Sequence, residues 1–235
     1  MVSYHLSKGL EEIFNYLKID IIKTLPVQSI DEPVSDHPDM ALHPIDYNNF
    51  VVYNKHWEYY NAKLEKYGVN AIASYNNLDR YYPRDVAFNI SRTNQYYFHK
   101  KDCTDLEINS QLKDKSKFIQ VKQGYSKCST LILKKNTVVT SDIGLFNCYK
   151  QNGIKVYYIP SGGILLPGYD TGFIGGCGGM VSKNEIVFYG NLDKYEYKEE
   201  LVKILNEEKI QYYYPLDIEF IDRGSIIGVV GGFYD

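Results

Sequence analysis

Apolar and polar residues alternate along this chain in short runs, and pairs of such runs are followed by a stretch of helical period and then by one more run. The second copy is the clearest. Residues 85–93 alternate as a strand, Asn94 marks a turn, and Tyr96 to His99 form a second strand, which predicts a hairpin. Thr104 and Asp105 then cap a helix to about Lys113, with Leu106 and Leu112 on its inner side, and residues 117–121 make a third strand. The third copy has strands at 130–133 and 137–140 around a Lys135-Asn136 turn. A helix capped by Ser141 or Asp142 follows, ends at Asn152-Gly153, and leads to a strand at 155–159. The first copy reads as strands near 40–45 and 50–53, a helix at 56–67 stopped by Gly68, and a strand at 70–74. The fourth reads as strands near 177–182 and 185–189, a helix at about 195–209 and a strand at 211–214; Leu201, Ile204 and Leu205 mark the buried face of its helix.

A fifth copy is split between the ends. Residues 225–229 and 232–234 supply two strands, and the N-terminal region supplies a helix at 7–17 and a strand at 19–25. The segments before the first strands stand at a near-constant interval. Asp39 to Asp85 is 46 residues, Asp85 to Cys128 is 43, Cys128 to Cys177 is 49 and Cys177 to Gly224 is 47. A period of this size marks a repeat architecture. The expectation is one α/β domain over residues 1–235: a five-bladed α/β-propeller of strand-strand-helix-strand modules with pseudo-fivefold symmetry, its ring closed by the N- and C-terminal segments so that no sheet edge is left open.

Composition narrows the function. With 44% hydrophobic residues the chain can build a core. A net charge of −3 gives no basic field for nucleic acid, and no apolar run reaches the length of a membrane span. The N-terminal residues show no signal-peptide core. Four widely spaced cysteines with no CxxC pair argue against a zinc ribbon or a disulfide framework, so a reducing cytoplasm is expected. Nothing implies a cofactor, and nothing fixes the oligomeric state.

Several strings carry a resemblance. Ser35 to Met40 (SDHPDM), Tyr82 to Val86 (YPRDV), Lys122 to Cys128 (KQGYSKC) and Gly172 to Gly176 (GFIGG) resemble an uncharacterised bacterial family assigned the pentein fold, that of the guanidino-group-modifying enzymes. Arginine deiminases, dimethylarginine hydrolases and amidinotransferases share this fold, as does a non-catalytic ribosome anti-association factor. In the enzymes a Cys attacks the guanidinium carbon, a His from an HxD-type motif handles protons, and carboxylates hold the cation. Here His37-Pro38-Asp39 matches the HxD pattern, Arg84-Asp85 resembles the arginine-aspartate pair at a strand start, and Cys128 stands two modules after His37. The enzymes carry their Cys in the last module, whereas this chain reads Arg223-Gly224-Ser225 there.

The resemblance implies Cys128 as nucleophile and His37 as general base, with Asp39 and Asp85 holding a guanidine or amidine. Lys127, beside Cys128, is expected to lower the thiol pKa. Arg84, Gly176 and Cys177 complete the candidate list; four glycines around Cys177 leave its backbone open to a ligand or to a close chain approach. The alternatives are structural: a buried small residue for Cys128, tight packing at the ring centre for the glycines, and strand-end caps or salt bridges for the aspartates. No ligand spacing of the HExxH kind supports a metal. Two function classes follow: a Cys-dependent hydrolase or amidinotransferase, or a module that binds a small molecule or a protein without chemistry. Trp57 reads as core.

Overall fold

The computed structural model describes residues 1–93 and 95–229. The Asn94 turn and the 232–234 strand expected from the sequence lie outside the described residues.

Four copies of one unit follow each other. The first comprises β1 (Leu42–Asp46), β2 (Asn49–Val52), α3 (Trp57–Glu65) and β3 (Asn70–Ala73), preceded by α1 (Lys8–Tyr16) and the short α2 (Pro38–Ala41). The second holds β4 (Ser91–Thr93), β5 (Tyr96–His99), α4 (Leu106–Leu112) and β6 (Lys117–Gln120). The third holds β7 (Thr130–Lys134), β8 (Thr137–Thr140), α5 (Ile143–Gln151) and β9 (Lys155–Tyr158). The fourth holds β10 (Gly178–Ser182), β11 (Glu185–Phe188), α6 (Lys198–Glu207) and β12 (Gln211–Tyr213). In every unit the first two strands pair antiparallel and the third joins the second in parallel across the helix.

The ends of the chain also meet. The Met1 amine donates to the Ile227 carbonyl and the Ile227 N–H donates back to Met1, while Val2 bridges Lys23 in parallel. These contacts have the order of the other units, but among the described residues they form isolated bridges rather than a sheet. The expected strands at 19–25 and 225–229 are therefore not formed as such.

Caps and burial explain the helix boundaries. Ser7, Asp105 and Asp142 each accept a first-turn N–H. In α4 the buried face is Ile108 and Leu112, and Leu106 points outward. That corrects the inner position expected for Leu106: with Asp105 as cap, Leu106 is the first helical residue and Ile108 takes the core. Trp57 is also not core. Its ring stays over a third exposed because it sits at the first turn of α3, and its indole N–H is satisfied by the Ala71 carbonyl. The run 85–93 is extended only from Ser91, since residues 86–89 turn back, with Asn89 N–H on the Val86 carbonyl.

Two histidines are buried between units. His99 bonds Thr104 through Nδ1 and the Gly124 carbonyl through Nε2. His43 lies at the end of β1 that faces the second unit, 4% exposed. Burial holds both below the ordinary 6.5, His43 to about 3 with Arg92 and His99 adding repulsion, and His99 to about 4. Between 6.5 and these values the unfolded chain binds a proton that the native state does not, so stability falls as pH falls. The expected loss is about 1.4 kcal/mol per pH unit for each histidine. Urea midpoints at pH 7, 6 and 5 check this; a flat profile above pH 5 would contradict it.

Candidate functional site

The segments that precede the first strands converge on a buried polar cluster. His37 caps α2, Pro38 takes the first helical position, where its missing N–H costs nothing, and Asp39 follows in the first turn. His37 and Asp39 are each 1% exposed. From the second unit comes Asn89. Its Oδ1 accepts the N–H groups of Lys127 and Cys128, each at 3.0 Å, and its Nδ2 donates to Cys128 Sγ at 2.9 Å. This bracket fixes the turn before β7.

Asp39 is the centre of the cluster. The Cys128 thiol donates to Asp39 Oδ2 at 3.3 Å, and the Ser225 hydroxyl lies 2.6 Å from the same oxygen. Lys127 Nζ donates to Ser225 Oγ at 2.7 Å. On the neighbouring side, Asp222 faces His37, with Nδ1 to Oδ1 at 3.8 Å. Asp222 also accepts the N–H of Gly224 at 3.0 Å and that of Phe173 at 2.8 Å. Two acceptor or donor positions stay open: His37 Nε2 and Asp39 Oδ1 are buried without a hydrogen-bond partner.

Glycine is required where chain segments cross here. A side chain at Gly175 would strike the carbonyls of Lys127, Cys128 and Thr130, and one at Gly176 would strike Asp222. Cys177 is fully buried and its thiol donates to the Phe173 carbonyl.

The electrostatics differ from the sequence expectation at Cys128. Lys127 does not offset the burial of the thiol; its ammonium donates to Ser225. Burial, then the charges of Asp39 and Asp222, push the Cys128 thiol well above its ordinary value, although Asn89 pulls the other way. Burial and Asp222 do the same to Cys177. Burial lowers the Lys127 ammonium despite the nearby Asp39, Cys128 and Asp222. Burial raises Asp222, opposed by His37 and two backbone N–H groups.

The structure thus gathers His37, Asp39, Lys127, Cys128, Gly176 and Cys177 at one centre. It leaves Arg84 outside: that side chain is exposed and pairs with Asp79 at 3.4 Å. Asp85 stands apart from Asp39: it is buried and accepts a hydrogen bond from the Tyr125 hydroxyl, and burial raises its pKa. Tyr125 stacks on Phe173 with centroids 6.0 Å apart, so the Asp85–Tyr125 pair connects to the centre through the Phe173 N–H on Asp222. His37 Nε2 makes no bond to Cys128. Asn89, Asp222 and Ser225 are the residues sequence reasoning missed. Asp222 and Ser225 flank the Gly224 that marked the fifth repeat, while Asn89 was hidden in the run taken as a strand.

Residues 1–227 match a family described only by its unknown function, DUF6873. The chain belongs to that family. No curated protein matches this DUF6873 chain in sequence. Solved structures do match in shape. The saxitoxin-pathway amidinotransferase of Microseira wollei is 11% identical, with a TM-score of 0.55 over 89% of this chain and 74% of that one. The inosamine-phosphate amidinotransferase of Streptomyces griseus is 12% identical, at 0.56 over 97% and 77%. The dimethylarginine dimethylaminohydrolase of Pseudomonas aeruginosa, solved with citrulline, is 9% identical, at 0.52 over 92% and 86%. These likenesses show that this DUF6873 member has the pentein fold.

The Asn89 bracket is testable. Asn89→Ala strands the buried Cys128 N–H, while the Lys127 N–H keeps the residue 89 carbonyl, and is expected to cost about 1–3 kcal/mol, whereas Arg84→Ala at the surface stays within about 0.5 kcal/mol. Chemical denaturation of both variants measures the difference; equal stabilities would contradict the bracket.

Proposed function

We propose that this chain is a Cys-dependent hydrolase or amidinotransferase that acts on a small guanidine or amidine at the Asp39 cluster. Cys128 is the nucleophile, His37 the general base, and Asp39 and Asp222 the carboxylates that hold the cation, with Asp85 next to them through Tyr125 and Phe173. In this reading the fold is a ring of five units, the fifth completed by the two ends of the chain. The observation that carries the proposal is the pair of open positions, His37 Nε2 and Asp39 Oδ1, both buried beside a thiol that already donates to Asp39. A guanidinium N–H fits an open carboxylate oxygen, and bidentate carboxylate recognition is what that planar donor set favours.

The raised thiol pKa is consistent with such chemistry when substrate brings its own charge. A cation lodged between Asp39 and Asp222 cancels the two carboxylate fields that oppose thiolate formation, and His37 takes the proton through Nε2. A second reading keeps the ring as a binding module without turnover. The observation in its favour is that His37 Nε2 makes no bond to Cys128, whose thiol donates to Asp39 instead.

Alkylation separates the two. All four thiols are pushed above their ordinary value by burial, and Cys148 is the most accessible of them. A neutral reagent such as iodoacetamide is expected to label Cys148 first. Chloroacetamidine, which carries the guanidinium-like cation, is expected to reverse that order and label Cys128 at least about ten times faster than the other three, since two facing carboxylates favour the cation. Peptide mapping by mass spectrometry reads the order. The same ranking with both reagents would remove the catalytic reading and leave the binding module.

A further inference from the structure

Lys127 belongs to a second polar centre as well as to the Asp39 cluster. A cavity of about 50 Å³ lies between β4, β7, β10 and residues 226–228. Arg92, Thr93, Lys127 and Lys135 bring the polar side chains of its wall, and the remainder is aliphatic, Met180 or glycine. Among the described residues no carboxylate lines this cavity, whereas three cationic side chains do. A smaller cavity of about 20 Å³ shares Arg92, Lys127, Ile132 and Ile227 with it, and there Asp39 and His43 join the wall.

Thr93 supplies the second observation. It is 2% exposed, and its hydroxyl has no hydrogen-bond partner. Buried hydroxyls are nearly always satisfied, so one that is left open at a cavity wall asks for an acceptor there. The cations around it are held by neutral groups. Arg92 Nε donates to Ser116 Oγ at 3.3 Å, and its Nη1 donates to the Pro44 carbonyl at 3.5 Å and to the Ile45 carbonyl. Lys127 Nζ donates to Ser225 Oγ at 2.7 Å. Their field is felt next door: after burial, Arg92, His99 and Lys127 hold the His43 imidazole down, opposed by its bond to the Phe88 carbonyl. Buried positive charge of this kind calls for a counter-charge.

We propose that the larger cavity binds a small monovalent anion of halide size, with the Thr93 hydroxyl as direct donor and Lys127, Arg92 and Lys135 as counter-charges. The size of the void admits such an ion and excludes a nucleotide or a sugar phosphate. The charge of its wall selects an anion over a cation, and a hydroxyl donating to an ion makes a stronger bond than one donating to a neutral group. The smaller cavity takes no anion, because Asp39 borders it. Lys135 is exposed in the turn between β7 and β8 and marks the mouth. The site makes no use of chemistry at Cys128 and stands apart from the guanidine reading. The two centres meet at Lys127, whose ammonium reaches Ser225 and, through that hydroxyl, Asp39. An anion beside Lys127 favours its charged form and offsets the burial that lowers it.

Chloride is the probe. The melting temperature is followed against sodium chloride while sodium gluconate, too large for the cavity, keeps the ionic strength constant. A rise that saturates is expected, since an ion that binds the folded chain stabilises it by mass action and general screening is held fixed. Thr93→Val is expected to raise the chloride concentration at half-effect about tenfold, as loss of a hydrogen bond to a charged group does. Lys135→Met, at the exposed mouth, is expected to raise it about threefold. Lys150→Met, on the surface of α5, leaves it unchanged. In gluconate alone Thr93→Val is expected to melt no lower than the wild type, because its hydroxyl has no partner to lose. Bromide-soaked crystals locate the ion by anomalous scattering, with the peak expected beside Thr93 and Lys127. A melting temperature that does not saturate with chloride, an equal response in the wild type and Thr93→Val, or bromide found only elsewhere overturns the site.

Discussion

A carboxylate buried at the meeting point of several chain segments sets the terms for this molecule. Burying such a group costs several kcal/mol unless hydrogen bonds and a counter-charge offset it. Asp39 meets that requirement with donors from distant parts of the chain: Cys128 from the turn before β7, Ser225 from the last described segment, and Lys127 one hydroxyl away. Each donor is itself fixed by something else. Asn89 holds Lys127 and Cys128, and the left-handed backbone at Ser225 aims its hydroxyl. The units are therefore tied together at their strand starts as well as by their apolar faces.

The same crowding explains the glycines. Where the first strands approach each other, the space beside Gly175 is taken by three carbonyls and that beside Gly176 by the Asp222 carboxylate. Glycine here is a condition for placing polar groups close to each other. At Gly175 and Gly176 the structure shows tight packing: the packed glycines are what let Asp222 reach both Phe173 N–H and His37.

Most of the fold was legible because its units repeat local signals. Hairpin turns, helix caps and one buried helix face recur, and the 46-residue interval linked them. The site was half legible. His37, Asp39, Lys127 and Cys128 were found because their residue types and spacing stand out. Asp85 was placed in register with Asp39 by interval alone, yet the centre of the second unit is Asn89. Asn89 lies four residues beyond Asp85, at the end of the segment 86–89 that turns back instead of running as a strand, so an interval counted along a continuous strand passes over it. The sign of the Cys128 shift was beyond sequence, since the burial of the thiol and the approach of Asp39 and Asp222 are set by the fold and not by the neighbouring Lys127.

The cluster draws on residues 37–39, 89, 127–128, 175–177 and 222–225, so no contiguous half of the chain contains it. Its integrity is a property of the whole fold. A thiol held by contacts this far apart in sequence is reached only when several of these segments move apart together. The rate at which a neutral thiol reagent reaches Cys128 is then a gauge of how often the whole centre opens, while its rate at the half-exposed Cys148 gauges only the local fraying of α5.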